Sequence, residues 1–300
     1  MNIPFIKYSK VWVSTAAVVI IASIAILAIF GLKPGIDFTG GSLMEVSFNE
    51  RPEHNLILEN LFESGIENPV VQGTGDNGVL IRMQFLSEDE HQQVLQSLRD
   101  GFQTEENKVH EERFETIGAS VSQTLRDRAF WAALLVILAI VFYVAYAFKK
   151  VSKPVASYKY GLLAIVALLH DALVVMAVFA LLGYFFGTEV NIAFVVAILT
   201  VVGYSVNDTI VVYDRIRENL LKRRSDDFGK VVDSGLNQTF MRSINTTLTT
   251  LLVLSALYLF GGSTIHEFVL ALLIGVVSGA YSSIFIASPL LVLVERWQRR

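Results

Sequence analysis

Residues 190–219 read VNIAFVVAILTVVGYSVNDTIVVYDRIREN, a long apolar run that ends in a cluster of charges. About 20 apolar residues carry a helix across the hydrocarbon core of a bilayer. Val190–Val212 therefore reads as a membrane span, with Asp214, Arg215, Arg217 and Glu218 marking its exit into water. Asp208 and Asn207 lie on the apolar side of that border, and Asp208 is about 9 Å short of Asp214 at 1.5 Å per residue. An ionised carboxylate is costly in hydrocarbon unless something offsets it, and intramembrane carboxylates commonly mark ion or proton paths.

The rest of the chain repeats the pattern. Hydrophobic residues make up 53% of 300 positions and charged ones 17%, with a mean hydropathy of +0.53. This composition belongs to membrane proteins. Apolar spans fall at 11–30, 129–148, 161–183, 190–212, 244–261 and 268–294. The first is long for a signal peptide and no Ala-x-Ala site follows it, so it reads as a retained anchor. The sixteen Lys and Arg residues outside 32–128 fall in segments 1–10, 149–160, 213–243 and 295–300. The short connections 184–189 and 262–267 hold none. Positive charge in short loops marks the cytoplasmic side, so both termini are expected there and 32–128 outside. The expected organisation is a polytopic α-helical membrane protein: residues 1–31 as N-terminus and first helix, an extracytoplasmic domain at 32–128, and a five-helix bundle at 129–300 with cytoplasmic loops 149–160 and 213–243.

Other function classes are excluded by what the sequence lacks. The chain has no cysteine, and its five histidines show no i,i+4 metal spacing, so no metal or cofactor is expected. The net charge of −4 does not suit nucleic acid. Neither a Walker A sequence nor a Gly-x-Ser-x-Gly element is present, so no hydrolytic enzyme is expected.

The outer segment has its own alternation. Met44, Val46 and Phe48 alternate with polar residues as a half-buried strand, as do Val79, Ile81, Met83 and Phe85. Leu58, Leu61 and Phe62 share one face of a helix that ends at Gly65. Ser87 and Glu90 form a capping box ahead of a helix that turns Val94, Leu95, Leu98 and Phe102 inward. With 69–73 and 109–118 as further strands the order is β-α-β-β-α-β, the ferredoxin-like unit, giving one α+β domain.

Three polar groups are out of place in the membrane: Asp208 with Asn207, Asp171 with His170, and Arg242. A proton carrier needs an affinity that its surroundings can change, and apolar burial and a nearby guanidinium act on a carboxyl in opposite directions. Asp208, Arg242 and Asp171 are thus candidates for a proton path, supported by Asn207 and His170. For Asp171 and His170 a packing role is equally open, and for Arg242 an interfacial anchor. Gly275, Gly279, Ser283 and Ala287 recur every four residues, a face suited to close helix packing either within the chain or against a second subunit.

Four stretches carry a family resemblance: GIDFTGG at 35–41, LLHDALVV at 168–175, VGYSVNDTIVVYDRIREN at 202–219 and LYLFGG at 257–262. Together they resemble the SecF family, the smaller integral subunit of the SecD–SecF complex of bacterial protein export, within the wider resistance–nodulation–division superfamily. The resemblance implies an auxiliary subunit of the Sec preprotein translocase in the bacterial inner membrane. It would work with SecD beside the SecYEG channel and use the proton-motive force to complete release of unfolded preproteins on the periplasmic face. Asp208 matches the family's intramembrane carboxylate, Arg242 its basic residue on the next span, and Asp171 its HD element. Gly35, Asp37, Gly40 and Gly41 match its junction signature, where the glycines read as turn formers. The competing readings are half of a proton-driven efflux transporter and a passive scaffold of the translocon.

Overall fold

The computed structural model describes residues 3–75, 77–147, 155–222 and 227–298. The chain divides into two compact units, one of residues 34–130 and the other of 1–33 with 131–300. Among the described residues, six helices are long and apolar enough to cross a membrane.

In the helical unit, α1 (Ser9–Phe30) follows a 3-10 turn at Ile6–Tyr8. The others are α5 (Ala119–Ala147), α6 (Ser157–Phe186), α7 (Ile192–Lys222), α8 (Phe228–Phe260) and α9 (Ser263–Ser282); α9 continues through a π-helical segment, Ser283–Ala287, into α10 (Ser288–Gln298). The helices outrun the apolar spans. The connection expected at 213–243 is largely helix, with α7 running to Lys222 and α8 starting at Phe228. Apolarity marks what lipid surrounds, whereas helix continues wherever its surface pairs. Here Asp214–Arg217 and Glu218–Lys222 pair at 3.2 and 2.6 Å, with Glu218 also meeting Arg215, at the i,i+3 and i,i+4 spacings that support a helix in water. The first half of the expected loop, 149–154, lies outside the described residues, as does position 148 of the second span, and α6 already begins at Ser157 within the second half.

The small residues of α9 settle the alternative left open by sequence. A Cβ on Gly275 would overlap Val201, and one on Gly279 would lie 2.9 Å from Ser205 Cβ. That face packs on α7 of the same chain. The π-helical segment follows from Pro289, which lacks an N–H and disturbs the turn before it. Its backbone is steadied by side chains: Ser288 donates to the Ser283 carbonyl at 3.3 Å and the Tyr213 hydroxyl to the Ala287 carbonyl at 3.1 Å.

The smaller unit begins with a single helical turn, α2 (Ile36–Thr39), and continues as β1 (Gly41–Phe48), α3 (His54–Glu63), β2 (Val70–Thr74), β3 (Gly78–Met83), α4 (Glu88–Phe102) and β4 (Val109–Ile117). The strands form one antiparallel sheet in the order β2-β3-β1-β4. Met44, Val46, Ile81, Leu61 and Leu98 fill its core, and both halves of the Ser87–Glu90 capping box are present. A Schellman closure ends α3, with Ile66 N–H bonding the Leu61 carbonyl and Gly65 N–H that of Phe62. Two residues differ from expectation. Phe62 is 55% exposed, and Ile57, one turn away from Leu61, is buried in its place. Phe85 is 54% exposed because β3 stops at Met83, and Leu86 enters the core after the break in alternation.

These placements set energies. Leu98→Ala should cost about 2–5 kcal/mol and Phe62→Ala less than about 1 kcal/mol, measured by pulse proteolysis of the outer unit in the full-length protein. Hydrogen bonds from the Ser87 backbone and hydroxyl hold the Glu90 carboxyl below its usual range. The cap's stabilisation is then present at neutral pH and lost as pH falls below the ordinary glutamate value, about 4.3. Glu90→Gln should flatten that acid limb of the protease-resistance profile.

Candidate functional site

Helix α7 carries the group on which the sequence turned. Its buried stripe, Val201, Ser205, Thr209, Val212 and Ile216, follows from the 3.6-residue period. Asp208 sits at the edge of that stripe, half-buried toward α8. One carboxylate oxygen, Oδ1, accepts a hydrogen bond from the Ser243 hydroxyl at 2.7 Å. The other, Oδ2, is shielded from solvent and accepts none among the described residues.

Arg242 precedes Ser243 on α8 and is exposed. It forms no ion pair with Asp208 among the described residues, although its charge acts on that carboxylate through space. Asn207 is exposed and stands apart from the Asp208–Ser243 bond. On α7 and α8 the exposed positions include Thr200, Gly203, Asn207, Arg242, Asn245, Thr246 and Thr249. The Tyr204 hydroxyl meets that of Thr250 at 3.3 Å between the two helices. Two helices of membrane-crossing length thus present a polar face to whatever lies outside this chain.

Asp171 is in a different setting. It is 0% exposed and ringed by donors: the hydroxyls of Ser205 at 2.6 Å, Ser278 at 2.7 Å and Ser282 at 2.6 Å, with His170 Nδ1 at 3.1 Å. Those serines come from α7 and α9, and the close approach allowed by Gly279 is what lets them converge. The structure therefore joins Asp171 with His170, and Asp208 with α8, but builds them as two clusters. Sequence reasoning missed the hydroxyls. The pair Ser278 and Ser282, at i,i+4 on an otherwise apolar helix, was the available signal; Ser243 was hidden beside the more conspicuous Arg242.

At the start of the outer unit, the motif 35–41 is a turn. Gly35 caps α2, its carbonyl accepting the Phe38 and Thr39 N–H groups at 3.0 and 3.2 Å. Gly40 and Gly41 have φ of +75° and +116°, and a Cβ on Gly41 would lie 2.6 Å from the Met83 carbonyl oxygen. No larger residue fits there without moving β3. Asp37 occupies the first turn of α2.

Comparison with known proteins gives a consistent result. Residues 97–297 match the family described as protein export membrane protein SecD/SecF, C-terminal, and residues 25–50 match the SecD/SecF GG motif. The chain is 42% identical over 305 residues to protein translocase subunit SecF of Thermobaculum terrenum, covering 98% of this chain and 94% of that one. It is 40% identical to protein translocase subunit SecF of Anaerolinea thermophila, covering 94% and 90% respectively. Among solved structures, SecDF of Thermus thermophilus, described as a translocon-associated membrane protein, superposes with a TM-score of 0.85 at 30% identity. That match covers all of this chain and 39% of the SecDF chain.

The two α8 neighbours should separate in their effects on stability. Ser243→Ala leaves a buried carboxylate oxygen without its donor and should destabilise the protein by about 1–3 kcal/mol. Arg242→Ala removes no ion pair and should stay within about 0.5 kcal/mol. Thermal unfolding of both variants in the same detergent checks the order.

Proposed function

The chain belongs to the SecD/SecF family of protein-export membrane proteins, and from that premise we propose that it is a proton-coupled subunit that drives late steps of preprotein export. Its relatives carry the name protein translocase subunit SecF, which supports an auxiliary role in Sec translocation. In the solved SecDF chain the matched part is 39% of the whole. In this reading the partner SecD covers the polar face of α7 and α8. Lipid would leave those groups unsatisfied. SecYEG and unfolded preproteins are the further partners in this reading.

The observation that carries the proposal is the half-satisfied Asp208 carboxylate: one oxygen is on Ser243, and the other has no hydrogen bond of normal geometry among the described residues, although the Ser283 hydroxyl also acts on the group. A group that must gain and lose a proton needs a site that neither protonation state fills completely. Asp208 is half-buried and feels the charge of Arg242, which stands exposed on α8. A shift of α8 or of the partner that changes the distance to that guanidinium would change proton affinity in alternate states. The energy suffices: one charge crossing 100 mV is worth about 2.3 kcal/mol, so roughly 200 mV supplies about 4.6 kcal/mol per proton, close to the 5.5 or so that inverts a two-state population.

The positive-inside pattern supports an inner-membrane location with both termini cytoplasmic and 32–128 periplasmic. The order and antiparallel pairing of the outer strands support a ferredoxin-like unit. It is the part of the chain placed to meet an emerging preprotein.

The decisive comparison is Asp208→Asn in vesicles that carry SecD. The late release of an exported precursor is followed with and without a proton-motive force. The gradient should accelerate release for the wild type and have no effect on the variant at equal protein level and SecD association. A variant that responds to the gradient like the wild type would remove Asp208 from the proton path.

A further inference from the structure

The second carboxylate of the bundle is built in a way that proton exchange does not require. Asp171 has four donors for its two oxygens: Ser205 Oγ and Ser282 Oγ on Oδ2, Ser278 Oγ and His170 Nδ1 on Oδ1. It is fully buried. Its neighbours on α6 belong to apolar clusters on either side, Ala167 and Leu168 to one and Val175 and Phe179 to another. A carboxylate so saturated and so sealed lacks the unbonded oxygen that Asp208 has among the described residues. Its hydrogen bonds instead run between helices, from α6 to α7 and to α9.

The consequence falls on Asp208. Ser205 lies three residues before it on α7, and Thr209 directly after it. Ser205 is held by Asp171; Thr209 Oγ1 meets Ser283 Oγ at 2.9 Å, and Ser283 also donates to the Ser205 carbonyl at 3.4 Å. The stretch 205–209 is therefore fixed on both flanks of Asp208 to parts of the bundle other than α8. Among the described residues of this stretch, Asp208 is the one hydrogen-bonded to α8, through Ser243.

We propose that Asp171 is a positioning residue, a buried pin on which hydroxyls from α7 and α9 close, and that it fixes the depth and facing of Asp208 on α7. The inference rests on the reading of Asp208 as the exchange group. Asp171 itself exchanges no proton during turnover. Loss of the pin frees α7 to shift against α6 and α9, lets water reach Asp208, and loosens the Ser283 contact, while α1 and the outer unit keep their structure. Among the described residues the Ser278 hydroxyl bonds to Asp171 alone, so it reports on the pin with the least disturbance of the core.

The test uses the full-length protein with SecD in lipid nanodiscs, and two readouts. Dicyclohexylcarbodiimide, which modifies protonated carboxyl groups in apolar surroundings, is applied at fixed pH, and the labelled residue is located by peptide mass spectrometry. Amide hydrogen exchange is followed in peptides spanning 203–211, with α1 as the internal control. In the wild type, Asp208 should be labelled and Asp171 should not. In Asp171→Asn and in Ser278→Ala, Asp208 labelling should fall several-fold and exchange in 203–211 rise roughly tenfold, the scale expected for a lost buried hydrogen bond, with α1 unchanged. Ser278→Thr keeps the hydroxyl and should restore both readouts. Wild-type labelling and exchange in Asp171→Asn and Ser278→Ala would overturn the proposal, as would labelling of Asp171 alongside Asp208. If Asp208 is unlabelled in the wild type while 203–211 loosens in the variants, the pin stands and the exchange reading of Asp208 falls.

Discussion

Three residues within one five-residue stretch of α7, Ser205, Asp208 and Thr209, are hydrogen-bonded to side chains on α6, on α8 and at the junction of α9 with its π-helical segment. In lipid no hydrophobic force draws helices together, because the surroundings are as apolar as the helix surface; close packing and interhelical hydrogen bonds do that work. Both are concentrated at this stretch. Gly275 and Gly279 bring α9 against Val201 and Ser205, and the approach places Ser278 and Ser282 within reach of Asp171. Without the glycines the serines would stand off, and without the serines the carboxylate would keep His170 as its one partner among the described residues. The close approach and the polar cluster depend on each other.

The smaller unit is held by the opposite force. Water drives its apolar residues inward, and the sheet and two helices bury Met44, Val46, Ile81, Leu61 and Leu98 in one core. Its entry is set by backbone rather than by burial. Gly40 and Gly41 adopt positive φ, and Gly41 lies so close to the Met83 carbonyl that a side chain is excluded. A motif that matches the family's GG signature thus has a physical reason: β1 must start in contact with β3 immediately after a left-handed turn.

The fold was legible in the sequence to the extent that it depends on periodicity. Apolar runs located all six spans, and alternation located the strands and the capped helix. Helix ends were not legible, because α7 extends beyond its apolar span on ion pairs such as Glu218–Lys222 and α8 on polar contacts such as Gln238 with Arg215, which apolarity does not register. Phe62 and Phe85 were misplaced for a related reason. A pattern extrapolated by one position carries a residue from core to surface when the helix face is centred on Ile57 or the strand stops at Met83. Within the membrane the sequence drew attention to Asp208, Asp171 and Arg242 because charge is conspicuous there. The partners that define the two carboxylates are serines, which are common in membrane helices and announce nothing individually. Their meaning lies in three helices meeting, and that is a property of packing.

Two carboxylates in one bundle have been given different surroundings, and the difference is informative. Asp171 is saturated with donors and closed between apolar clusters; Asp208 has one donor, one unbonded oxygen and a half-buried position beside a polar face. Had both served only to hold helices together, selection for stability would favour saturation at each, because an unsatisfied buried oxygen costs free energy. Asp208 departs from that arrangement at the edge of the chain, where Arg242 and a row of exposed small and polar residues stand ready for another surface. The cost is tolerated at the position where a change of neighbour could alter the carboxylate, and avoided one turn away, where the helix bearing it is anchored. A rigid mount beside a responsive group is what a coupling device needs: if both parts yielded, a change of protonation would be absorbed locally and never reach the rest of the bundle.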